Sequence, residues 1–393
     1  METTGNLSKS DKDLGQVDTP LHIVHSLVSL LPNKYDFFAD LGAGLGNLSA
    51  LLPISNGILV EIDVDRFKHL ERTLNTLHKP ILADVLDENF HLNEHLPSNK
   101  NNLYISNPPF CRKKTNYSFD YFLELNSSSS FKQLDIAFLD KVMSSMNCKS
   151  SLMFIISAPF VAFEKYFPQR KKFINSFDSL SVISLDDSIY EKTEVQSYAV
   201  IAHKRSSNKF KHRISLKKMD TFGRITDQML ITKNEAIKSL CFEFHHKLKI
   251  INSLVDSNCK TIGDLNTSLV RGSHSKLHFD LLDLESIHTT DLKEPFLFLN
   301  DKQQSKNFKS ANINDILIPR VGKRALNRES IVKEGNQIFT DSVYMLSSKS
   351  KDDSKIIWNS VSSEVGKLWR SMHAQGKCAK YLTREAILSM PIL

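Results

Sequence analysis

At 393 residues the chain is long enough for two domains, each with its own core. With 41% hydrophobic and 24% charged residues it reads as ordinary globular protein, and no apolar run approaches the roughly 20 residues that span a bilayer, which argues against a membrane partner. A formal net charge of +7 suits a polyanionic partner without requiring one, and five scattered cysteines with no Cys-x-x-Cys pair predict free thiols and no metal site.

The N-terminal stretch Met1 to Asp13 is polar and lacks the apolar centre of a secretory signal, so a soluble, cytoplasmic protein is expected. From Phe37 to about Lys204, short apolar runs alternate with helical stretches, the pattern of a doubly wound α/β sheet. The predicted strands are Phe37 to Leu41, Gly57 to Ile62, Leu103 to Ser106, Leu152 to Ser157, Ser181 to Leu185 and Ser197 to Ala202, with another ending at Ile81 to Asp84. Leu45 to Leu52 and Arg66 to Leu77 carry apolar spacing suited to helices on the sheet faces.

Cys111 to Ser130, with Arg112, Lys113, Lys114 and four consecutive serines, looks too polar to pack and predicts a mobile loop at a site rim. The basic stretch from Lys204 to Arg213 reads as a linker, dividing a first domain, 1–205, from an α+β domain, 206–393. In the latter, Ile237, Leu240, Phe244, Leu248, Ile251 and Leu254 share one helical face, and Val361, Val365, Leu368 and Met372 another.

The chemistry concentrates at strand ends. Asp40-Leu41-Gly42-Ala43-Gly44-Leu45-Gly46 is a strand, a glycine-rich turn and an expected helix start, where the backbone can approach a ligand. Glu61 and Asp63 end the next strand about twenty residues on, where such folds accept hydrogen bonds from ribose hydroxyls, and Asp84 ends a third. Asn107-Pro108-Pro109-Phe110 follows the apolar Leu103-Tyr104-Ile105 and sets hydrogen-bond acceptors beside an aromatic ring. That combination fits a planar base with an exocyclic amine and suggests methylation of an amino nitrogen.

Gly15 to Val24, the glycine turn, Val60 to Asp63, Leu82 to Asp84 and Asn107 to Phe110 resemble, in order and spacing, motifs X, I, II, III and IV of the γ-class DNA adenine-N6 methyltransferases. Ile136 to Met146, Leu152 to Ala158 and Asp187 to Ala202 resemble motifs V, VI and VIII. The resemblance covers about the first half of the chain.

It implies a Rossmann-like methyltransferase sheet and S-adenosylmethionine as cofactor, held by Thr19, Asp40, Gly42, Ala43, Gly44, Glu61, Ile62, Asp84 and Asn107. Asn107, Pro108, Pro109 and Phe110 would grip a flipped-out adenine, with Tyr190 on its other face or simply in the core. Position 110 is Phe where many relatives have Tyr, which keeps an RNA adenine methyltransferase open as an alternative. A methylase fold turned into an idle DNA-binding scaffold is a further alternative, disfavoured by the intact motif, as is a cytosine-N4 enzyme.

Thr261 to Leu265, Val270 to Ser273, Asp315 to Gly322 and the stretch from Leu368 through Leu388 resemble the target-recognition domain of type I restriction specificity subunits. That resemblance implies double-stranded DNA as partner, with a cognate restriction endonuclease as a possible companion. Arg112, Lys113, Lys114, Arg271, Lys306, Lys309, Arg320, Lys323 and Arg324 are the expected DNA contacts, since phosphates need Lys or Arg and base edges are read by Arg, Asn and Gln.

Overall fold

The computed structural model describes residues 17–31, 34–73, 77–126, 130–190, 196–204, 213–256, 258–300, 308–322, 324–376 and 379–393. Its strands, in chain order, are β1 (Phe37–Leu41), β2 (Gly57–Glu61), β3 (His78–Leu82), β4 (Asn102–Ser106), β5 (Arg112–Lys114), β6 (Phe131–Gln133), β7 (Ser151–Ser157), β8 (Ser179–Leu185), β9 (Ser197–His203), β10 (Arg213–Met219) and β11 (Ile225–Ile231) in the first half. The second half adds β12 (Thr267–Arg271), β13 (Phe296–Phe298), β14 (Ser310–Ala311), β15 (Ile316–Pro319), β16 (Ser330–Glu334), β17 (Gln337–Ile338) and β18 (Val343–Ser348). The chain divides into two compact units, Met1–Phe242 and Glu243–Leu393.

A nine-stranded mixed sheet, ordered β11-β10-β8-β9-β7-β4-β1-β2-β3, organises the first unit. Strands β1, β2, β3, β4 and β7 run parallel, β9 is antiparallel to β7 and β8, and β11 is antiparallel to β10. Alternate residues of the central strands feed two apolar cores, one on each face. Ala39, Leu41, Val60 and Tyr104 join one; Phe38, Leu59, Leu103 and Ile105 join the other. Burial on both faces explains why these strands read as continuous apolar runs.

From β1 the chain winds outward to β2 and β3, then returns to β4 on the opposite side of β1. The carboxyl ends of β1 and β4 therefore flank the point where the winding reverses, the place where open α/β sheets leave a crevice for ligands. Ser106 Oγ donates to the Leu41 carbonyl at 2.5 Å and ties these two ends together.

Several sequence expectations are corrected. Leu45 to Leu52 is a run of turns, not a helix. Gly42, Gly44 and Gly46 all hold left-handed φ angles (+70°, +59° and +81°), and short bonds such as Gly46 N–H to the Ala43 carbonyl (2.8 Å) bend the chain before a ladder can form. The segment after Asn-Pro-Pro-Phe is packed, because Tyr117, Phe119 and Phe122 are buried in the core despite their polar neighbours.

The first unit also continues past the expected division near 205. Strands β10 and β11 extend its sheet, β10 pairing in parallel with β8 from Arg213 opposite Ser179 to Met219 opposite Leu185. The single helical face expected around Ile237 to Leu254 is broken at Ser239 into helices Lys233–Lys238 and Phe242–Leu254.

The second unit holds a five-stranded sheet, β12-β18-β15-β16-β13, antiparallel except for β13 with β16. Ile316, Ile318, Leu346, Ile357 and Val361 form its main core. Helices Lys351–Ser362 and Glu364–His373 divide the expected single face at Ser363, whose Oγ caps the second helix through Gly366 N–H at 2.9 Å. Among the described residues no helix is long and apolar enough to cross a membrane, and no His, Cys, Asp and Glu group could hold a metal ion.

Candidate functional site

A cavity of about 200 Å³ opens at the carboxyl ends of β1, β2 and β4. Thr19, Asp40, Gly42, Ala43, Gly44, Glu61, Ile62, Asp84 and Asn107 all line it, so every residue expected around a cofactor is brought to one place. Asp18, Asn47, Arg66 and Phe138 line it too, without having been singled out in the sequence. Asp18 lies within the quoted Gly15 to Val24 stretch, but nothing local distinguished Arg66 from a solvated helix residue.

Asp40 is wholly buried, and neither carboxyl oxygen has a hydrogen-bond partner; the nearby Ser49 hydroxyl instead donates to the Gly46 carbonyl at 3.1 Å. Burial, opposed by the nearby Ser49 hydroxyl and reinforced by Glu61, pushes the Asp40 pKa up to about 7. A buried carboxyl with empty lone pairs beside a cavity is costly for the free protein. A cation entering the cavity would relieve that cost.

Glu61 behaves oppositely. Its Oε2 accepts from Gly44 N–H at 2.7 Å and its Oε1 from Ile62 and Asp63 N–H, both at 2.9 Å. Burial raises its pKa, opposed by those backbone donors. The Gly44 N–H at the glycine turn is therefore spent on Glu61, which braces the turn as well as lining the cavity. Asp63 is likewise occupied, its Oδ1 accepting from Asp65 and Arg66 N–H at 3.0 Å to cap helix Val64–Thr73.

A Cβ on Gly44 would lie 2.8 Å from Asp18 Oδ1 and 2.9 Å from Arg66 Nη1, two atoms that form an ion pair of 3.0 Å. The turn thus needs glycine both for its φ and for room beneath this pair. Ile62 presents an apolar surface to the cavity, 47% exposed. Asp84, at the far side, accepts Leu86 N–H at 2.8 Å through Oδ1.

Asn107 is oriented by the N-terminal segment. Its Nδ2 donates to the Val17 carbonyl at 2.8 Å and to Thr19 Oγ1 at 3.0 Å. With the amine end anchored, Oδ1 remains an acceptor. Pro109 also lines the cavity, whereas Pro108 is buried and Phe110 packs partly against the core.

Tyr190 is not an open stacking face. It is buried in the core cluster, its hydroxyl lies 3.2 Å from Thr19 Oγ1, and burial pushes its pKa up to about 12. It stands one hydrogen bond behind Thr19, which holds Asn107.

The rim is a two-stranded ribbon, β5 with β6, and Lys113, Lys114 and Thr115 line the cavity from it. Beyond it, Asp140 pins the chain: Oδ2 accepts from Tyr117 Oη (2.5 Å) and Asp120 N–H (3.0 Å), and Oδ1 from Phe122 N–H (2.5 Å).

In the second unit Asp341 gathers two of the expected DNA contacts. Arg271 pairs with its carboxylate at 2.8 Å, and the Nε atoms of Arg271 and Arg320 donate to its carbonyl at 3.0 and 2.9 Å. Lys309 Nζ donates to the Arg271 carbonyl at 2.9 Å, while Arg324 is exposed in a separate turn. Lys306 and Lys323 lie outside the described residues.

No family model and no curated protein sequence matches the chain. Among solved structures it is similar to the type IIG restriction endonuclease BpuSI, at 13% identity and a TM-score of 0.48, over 96% of this chain and 59% of that one. It is similar to a nuclease-deletion mutant of the type ISP restriction-modification enzyme LlaGI in complex with a DNA substrate mimic, at 12% identity and 0.47, over 70% and 35%. A third is the type I restriction-modification methyltransferase subunit from Streptococcus thermophilus, at 16% identity and 0.39, over 57% and 52%. The chain thus spans little more than half the length of the first of these.

Proposed function

We propose that this chain transfers a methyl group from S-adenosylmethionine to N6 of an adenine flipped out of duplex DNA, as the modification activity of a restriction-modification system. The observation that carries the reading is the meeting of Asp40 and Asn107 in one cavity at the switch point of the sheet, a carboxylate without partners next to an anchored amide. In this reading the second unit, with Arg271, Lys309, Arg320 and Arg324, supplies sequence-specific contacts to the duplex.

The residues suit the cofactor. Asp40 offers a buried anionic partner for its ammonium group, Ile62 an apolar face for its adenine, and Glu61 and Asp84 acceptors for its hydroxyls and amine. When bound, the cofactor supplies an electrophilic methyl on a sulfonium. The chain's own task is to present the amine.

An adenine amine lends its lone pair to the ring and is a weak nucleophile. Asn107 Oδ1 and the Pro108 carbonyl would accept its two hydrogens and favour a pyramidal nitrogen whose lone pair points along the transfer direction. Thr19 and the Val17 carbonyl stop the amide from rotating. Positioning of this kind supplies most of the rate, so the reading asks for no strong general base.

In Asn107→Ala, methyl transfer to duplex DNA should fall by about 100-fold or more while calorimetry still detects cofactor binding. Undiminished transfer would remove the proposed chemistry. Phe110 in place of Tyr favours one second reading, transfer to an adenine in RNA, which parallel assays on matched DNA and RNA separate.

A further inference from the structure

The ribbon at the cavity rim has two chemically different faces. Directly opposed residues of an antiparallel pair share a face, and the register is Arg112 with Gln133, Lys113 with Lys132 and Lys114 with Phe131. Lys132 is buried, its Nζ 5.4 Å from the Phe119 ring centre, so the Lys113 and Lys132 pair marks the inner face.

The outer face carries two cations, an amide and an aromatic ring: Arg112 and Lys114 are exposed, Gln133 is half-buried and Phe131 is 53% exposed. Lys114 lines the cavity, and cross-strand partners lie about 4.5–5.5 Å apart at Cα, so Phe131 stands beside a residue of the cavity rim. Burying Phe131 against the neighbouring core would have been the stable choice for a loop with no partner.

A two-stranded ribbon fits the major groove of a duplex, Arg and Gln read base edges, and a phenyl ring can enter a base stack. Resting on the methyl-transfer reading above, we infer that the β5–β6 ribbon is the element that opens the duplex: Phe131 takes the place in the stack that the extruded base leaves, while Arg112 and Lys114 hold the flanking phosphates. The ring has no role once the base is already unpaired.

The test compares the full-length wild type with Phe131→Ala, by tritium transfer from S-adenosylmethionine to unmethylated plasmid DNA, native and heat-denatured. Phe131→Ala should lose roughly tenfold or more on the native duplex and stay within about twofold of wild type on denatured strands. Phe131→Leu, which keeps an apolar wedge, should recover much of the duplex rate. Because the ring is exposed, the thermal midpoint and cofactor binding should not move. Equal losses on both substrates, or no loss on the duplex, would overturn the wedge. A wild type that transfers to neither substrate would instead overturn the methyl-transfer reading beneath it.

Discussion

Asp40 in the first unit is buried with neither carboxyl oxygen hydrogen-bonded, whereas Asp341 in the second lies half-exposed and holds two arginines, one of them by an ion pair of 2.8 Å. The first sits in β1 and the second in the turn before β18, each among residues expected to bind something. The first destabilises the free protein and is tolerated; the second is already satisfied within its own unit. An unpaired buried charge is a stronger pointer to a ligand than a surface cluster of cations, because only the former costs something that binding can return. The cavity therefore points to a ligand more firmly than the arginines of the second unit point to DNA.

The largest effect that sharpens this contrast is at Asp40. Asp40→Asn should weaken S-adenosylmethionine binding by about 10- to 100-fold, the loss of one charge-assisted contact, and yet raise the melting temperature of the free protein at pH 8. The pH sign follows from a folded pKa of about 7 against an ordinary value of 3.8. Between these values the folded protein holds a proton that the unfolded chain has lost, so stability falls as pH rises through the window and levels off above about 7. Affinity for the cationic cofactor should run the other way, rising through pH 7 in the wild type and flattening in Asp40→Asn. Parallel pH profiles in the two proteins would break the contrast.

A smaller effect is expected at Gly44. Alanine there should cost about 1–2 kcal/mol for its left-handed φ and force apart the Asp18 and Arg66 pair beneath it, measurable by urea denaturation and by weaker cofactor binding. The smallest belongs to the second unit. Asp341→Ala should change stability by less than about 1 kcal/mol, but by breaking the ion pair of the Arg271 guanidinium it should move elution from a duplex DNA column to higher salt. An unchanged elution would make Arg271 structural.

Much of the first unit was legible in the chain. Six predicted strands, from Phe37 to Ala202, agree with observed ones to within two residues, because strands buried on both faces are written as uninterrupted apolar runs. All nine expected cofactor residues line the cavity, since the sheet places each strand end at the same edge.

What was misread depends on contacts distant in sequence. The aromatic residues Tyr117, Phe119 and Phe122 were overshadowed by neighbouring serines and cations, and the acid that fixes the first and last of them, Asp140, comes roughly twenty residues later in helix Leu134–Ser145. The turn at Gly42 to Gly46 looked like a helix start because leucine spacing suggested one, while the three left-handed glycines decide otherwise. The basic stretch after Lys204 lies mostly outside the described residues, and the sheet goes on beyond it, as β10 and β11 join it. Tyr190, expected over the base or in the core, has its ring in the core, and only its hydroxyl reaches Thr19.

The most direct test of the central claim is to incubate unmethylated duplex DNA with the wild-type protein and labelled S-adenosylmethionine, digest it to nucleosides and identify the labelled base by mass spectrometry. The label is predicted in N6-methyldeoxyadenosine, with Asn107→Ala giving almost none. Label on cytosine, or none at all while calorimetry shows the cavity filled, would contradict the account.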